Sequence, residues 1–91
     1  MDPLLFGTGM SKLWRESMPI DMELMGDQPA AFTLNHQYHL IDSVENRWRA
    51  DQQWRDGPTR DYFLVVTHRG MWGIIFQDLI KGEWFMQAVI D

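Results

Sequence analysis

The chain has 91 residues, no cysteine, and 8 basic against 13 acidic residues, for a formal charge of −5. That length suits one domain with one modest core. The lack of cysteine excludes disulfides, thiolate metal sites and thiol nucleophiles. Apolar residues make up 45% of the chain and aromatics 13%, enough for a packed core and too many for intrinsic disorder. Binding to a polyanion rests on neutralising phosphates with Lys and Arg. The acidic balance therefore favours a protein partner over nucleic acid. No apolar run approaches the roughly 18 residues that span a bilayer. Met1 to Gly9 lacks the basic start and long apolar stretch of a secretory signal, so a cytoplasmic protein is expected.

Residues 1–17 read as a flexible lead-in, with Pro3, two glycines and no steady period. Ser11 could cap a single helical turn over Ser11–Ser17. Residues 18–91 form the single domain. In Met18–Gly26, Ile20, Met22 and Leu24 alternate with Asp21 and Glu23, the period of a half-buried strand. Met18, Met22 and Met25 also fit a helical spacing, but the segment is short for a helix. The methionines are read as gap-filling core. Asp27-Gln28-Pro29 reads as a turn. Phe32 and Leu34 alternate with Thr33 in a short strand, and Asn35-His36-Gln37 has turn chemistry.

The next strand is long. Tyr38, Leu40, Val44 and Trp48 share one parity and Ile41 breaks it, so a bulge is expected near Ile41–Asp42. If the strand continues through Arg49, Arg47 and Arg49 take one open face and Trp48 the core. Asp56-Gly57-Pro58-Thr59 breaks the chain. Beyond it, Tyr62, Leu64 and Val66 alternate with Phe63 and Val65, apolar on both faces as in a central strand. Gly70 turns the chain into Met71–Phe76, again β-prone. Asp78–Gly82 is a hairpin loop. The last strand puts Trp84, Met86, Ala88 and Ile90 on one face, with Phe85 and Val89 on the other. The fold class is mainly β: a small antiparallel sheet of about six strands, curled into a barrel or roll because no helix is available to cover a face.

The order Pro19-Ile20, Phe32…Tyr38, Arg47-Trp48-Arg49, Trp54-Arg55, Arg60-Asp61-Tyr62-Phe63, Gly70, Asp78…Gly82-Glu83-Trp84 and Val89-Ile90-Asp91 resembles a family of small, uncharacterised bacterial proteins. Their genes often lie beside those of translesion DNA polymerases. The resemblance covers roughly Pro19–Asp91. Relatives often have glycine in the first hairpin turn, where this chain has Asn35-His36-Gln37, and Trp after the Phe, where it has Thr33-Leu34. The resemblance implies a setting in DNA repair or damage tolerance, and no activity.

The candidate binding residues are Arg47, Trp48, Arg49, Trp54, Arg55 and Arg60. Arginine holds phosphates bidentately, tryptophan stacks on bases, and both dominate protein interfaces. Asp42 to Asp61 holds five acids against four arginines, so intramolecular ion pairs compete with any ligand. His36, His39 and Asp42 lack a firm third ligand, because residues three apart on a strand face opposite sides. No metal or other cofactor is expected, and no nucleophile elbow or acid–base constellation points to an enzyme. The expectation is a non-enzymatic binding or adaptor module, with a protein partner such as a translesion DNA polymerase. The alternatives are a single-stranded nucleic-acid binder using the Trp and Arg residues, and a self-associating protein, as a homodimer.

Overall fold

The computed structural model describes residues 10–50 and 59–90. Six strands follow one another: β1 (Met10–Met25), β2 (Gln28–Leu34), β3 (Gln37–Ala50), β4 (Arg60–Thr67), β5 (Trp72–Asp78) and β6 (Trp84–Ile90). Every neighbouring pair is antiparallel, and β1 pairs with β6 to close a barrel. The mainly β expectation holds. No helix among the described residues is long and apolar enough to cross a membrane.

Two long strands make the closure. β1 pairs with β6 up to Ile20↔Trp84, then with β2 from Asp21↔Thr33 onward. β3 pairs with β2 through Ala31↔Leu40, then with β4 from Ile41↔Thr67. Each therefore belongs to two sheets. The lead-in expected over 1–17 is corrected for 10–17, which forms the first half of β1 rather than a helical turn. Hydrogen bonds to β6 supply what the local pattern lacks.

The interior is filled by alternating side chains. Ile20, Phe32, Leu34, Phe63, Val65, Ile75, Trp84 and Met86 form the core, with Met18, Met22, Ile41, Val44 and Val89 packed on it. Met25 is instead exposed, so the methionine stripe is core only at Met18 and Met22. On β6 the expected face of Trp84, Met86, Ala88 and Ile90 divides. Gln87 is an extra residue between Ile75↔Met86 and Ile74↔Ala88, so Ala88 stays buried, at 1% exposure, but beside Ile74, while Val89 packs on the core.

The turns carry the expected chemistry with one shift. Asn35 and His36 both have positive φ, 53° and 67°, as a two-residue hairpin turn requires. A left-handed backbone is costly for an L residue with a side chain. His36→Gly is therefore expected to stabilise the protein by about 0.5–1 kcal/mol after the added freedom of the unfolded chain is counted. Thermal unfolding checks this as a rise in midpoint. The β1–β2 turn is Gly26-Asp27, and Gln28 and Pro29 belong to β2. Pro29 faces Leu24 beside a register shift, where a residue without an N–H is tolerated. In the β5–β6 loop, Asp78 Oδ1 accepts hydrogen bonds from the amides of Ile80 (2.9 Å) and Lys81 (3.2 Å).

Candidate binding surface

β3 inserts two extra residues against β4. Asp42 lies between Ile41↔Thr67 and Ser43↔Val66, where a bulge is expected, and Glu45 lies between Val44↔Val65 and Asn46↔Leu64. The second bulge sits between Val44 and Trp48, so they cannot share a face. From Arg47↔Phe63 to Arg49↔Asp61 the arginines share the face of buried Phe63 and Asp61. Trp48, opposite Tyr62, points outward and is 39% exposed. The expectation that puts Trp48 in the core is thus corrected, while the arginine side chains, 54% and 56% exposed, stay open to solvent although they share the inward parity.

The two arginines sit at the mouth of the barrel around one carboxylate. Arg49 Nε donates to Asp61 Oδ1 at 2.7 Å and its Nη2 to Oδ2 at 3.3 Å. Arg47 Nη2 lies 3.6 Å from Oδ2, and its guanidinium carbon is 5.1 Å from the centre of the Phe63 ring. Asp61 is only 6% exposed. The hydrogen bond from Arg49 is the main cause that holds its carboxyl below the usual carboxylate range, reinforced by the charges of Arg49 and Arg47. These arginines seal the core and neutralise a buried acid.

The outward face carries a row of rings that sequence reasoning missed. Trp48↔Tyr62, Tyr62↔Phe76 and Phe76↔Phe85 are successive cross-strand pairs on β3 to β6, and Phe85 then faces Pro19 on β1. Trp48 and Tyr62 are stacked at 5.4 Å with planes 5° apart. Tyr62 and Phe76 are 5.2 Å apart and tilted, and Phe76 stacks on Phe85 at 5.2 Å. Direct cross-strand aromatic pairs stabilise a sheet, and Phe76 is itself buried, at 2% exposure, so the open apolar platform is the Trp48–Tyr62 end of the row. Parity counted across successive hairpins was the signal that could have found it.

Arg60 joins this platform. Its guanidinium carbon lies 4.5 Å from the Phe76 ring centre, and Nη1 reaches the Tyr62 hydroxyl at 3.4 Å. Nε is buried and has no hydrogen-bond partner among the described residues. Among the described residues no carboxylate forms an ion pair with Arg60. The Asp78 side chain, on the residue directly opposite, caps its own loop. Of the six candidate residues the structure thus brings Trp48 and Arg60 to one outward surface and turns Arg47 and Arg49 to the mouth. Trp54 and Arg55 lie outside the described residues. Elsewhere, Asp42 faces His68 at 3.8 Å, and His39 stacks on Phe32. Among the described residues no group of three or more His, Asp or Glu is placed to hold a metal ion.

No family model matches this chain, and no solved structure gives a significant match.

Proposed function

We propose that the protein is a non-enzymatic binding module, an adaptor that engages a protein partner through the outer row of β3 to β5. The supporting observation is the meeting of Trp48, Tyr62 and Arg60 on one outward surface. These three residue types dominate interface hot spots, because they desolvate much area and lose little entropy on binding. Nucleic acid fits less well. Arg47 and Arg49 already serve Asp61, and the net charge of −5 opposes a phosphate backbone. Within this proposal the module works in the cytoplasm. The family resemblance adds a candidate partner, a translesion DNA polymerase, whose basic DNA-binding surface complements an acidic domain.

The test is retention of proteins from an extract of the source cells, and of the purified translesion polymerase, on immobilised full-length protein. Trp48→Ala is expected to weaken the specific partner more than tenfold, as for a hot-spot residue. Trp48 is partly exposed, so the variant should remain folded, which circular dichroism checks. An identical retained set for wild type, Trp48→Ala and Arg60→Ala would remove the proposal. Tight binding of a labelled single-stranded oligonucleotide that falls steeply with salt would replace it with the nucleic-acid reading.

A further inference from the structure

β1 outruns β6. Its ladder with β6 ends at Ile20↔Trp84, where the chain departs through Glu83 and Gly82 into the β5–β6 loop. Asp21–Met25 then pairs with β2 on one flank, and among the described residues no strand pairs with the other. A groove of about 600 Å³ lies beside it, lined in part by Pro19, Asp21, Met22, Glu83, Trp84 and Phe85. A smaller recess of about 330 Å³ shares Pro19 and Asp21 and reaches the Asn35–His36 turn. Leu24 and Met25, at the end of the flank, are 47% and 76% exposed. Phe85 and Pro19 also end the aromatic row, so the groove lies at the end of the row opposite Trp48.

We infer that this flank and groove receive an extended, basic segment of a protein partner, which adds as a strand beside Asp21–Met25. The inference rests on reading the protein as a protein-binding module and supplies the chemistry of the partner. An unpaired strand flank offers backbone donors and acceptors that another chain can satisfy. Five residues at about 3.3 Å each give a ladder of roughly 17 Å. Charge selects the occupant. Among the described residues, Asp21 and Glu83 line the groove and no lysine or arginine does, and exposed Glu23 accepts a hydrogen bond from the Tyr38 hydroxyl, at 2.8 Å. A second copy added edge to edge would set Asp21 and Glu23 against the same acids, which is destabilising. A phosphate backbone would be repelled by them as well. A strand alternating Lys or Arg with apolar residues answers both faces. Its cations meet the acids, and its apolar side chains enter the groove over Met22 and Trp84.

Panning random short peptides displayed on phage against the full-length protein tests this. The expected winners alternate basic with apolar residues, shift the amide resonances of Asp21–Met25 and slow their hydrogen exchange. Asp21→Asn and Glu83→Gln should each weaken the synthetic winner about fivefold at low salt. That difference should fade near 1 M salt, where screening acts within about 3 Å. Methylation of alternate peptide nitrogens should abolish binding. Winners that perturb Trp48, Tyr62 and Arg60 but leave Asp21–Met25 unmoved would overturn strand addition and leave the module reading intact. Acidic winners would overturn the charge argument, and no enriched sequence at all would overturn both readings.

Discussion

Phe32→Ala is expected to destabilise the protein by about 3–5 kcal/mol. The ring is wholly buried on β2, between Met22 on β1 and His39 on β3, whose imidazole stacks on it at 5.0 Å. β2 is short and bridges the two long strands, so its one large interior ring joins the three-stranded sheet to the core of the other. Truncation leaves a cavity that a closed barrel cannot collapse to fill. A chain of this length has roughly 5–14 kcal/mol of stability in all, so the loss is a large share. At roughly 4–8 °C per kcal/mol the melting midpoint should fall by at least about 12 °C. Leu40→Ala, on the same hairpin but 49% exposed, should cost under about 1 kcal/mol. Calorimetry on both variants decides the matter. Equal losses would mean that the two faces of this hairpin are not inside and outside of a barrel.

That inside and outside could be read where a strand keeps strict alternation and ends at a strong turn. β4 shows it: Phe63 and Val65 point in, Tyr62, Leu64 and Val66 lie on the half-covered outer face, as their spacing requires. The Asp78–Gly82 loop and the Asn35–His36 turn are legible for the same local reason, a residue type suited to an unusual backbone. Bulges defeat the method, because one extra residue moves every later side chain to the other face. Glu45 does this to Trp48, and Gln87 does it to Ile90, which pairs with exposed Trp72. Neither carries a mark in the sequence, since an exposed Glu or Gln on a strand is unremarkable. Met10–Ser17 was hidden for a different reason, being held by pairing to β6, some seventy residues away in sequence. The mouth cluster had one usable clue. The break at Asp56–Thr59 makes β3 and β4 neighbours, though counting outward from it would set Trp54 rather than Arg49 opposite Asp61, because the ladder closes at Ala50↔Arg60.

Asp61→Asn tests that cluster, with an expected loss of about 1.5–3 kcal/mol at pH 7, the range for hydrogen bonds to a charged group. The lower end is favoured because the arginine side chains are more than half exposed, 54% and 56%, and water screens them. The pH dependence has a definite sign. Asp61 titrates lower in the folded protein than in the unfolded chain, where a carboxyl has a pKa of about 3.9. Its contribution is therefore complete above that unfolded value and disappears as pH falls through the depressed folded value. Urea unfolding should show wild type and Asp61→Asn separated at pH 7 and converging in acid, with the gap reduced by salt. A gap that persists unchanged to low pH would assign the loss to packing rather than charge. The same variant reaches the outer surface indirectly. Arg47 and Arg49 flank Trp48 on β3, and their grip on Asp61 fixes the strand end from which Trp48 stacks on Tyr62. Asp61→Asn should therefore weaken a partner that binds through Trp48 while leaving the indole in place, and Trp48→Ala should weaken it without altering the acid response of stability.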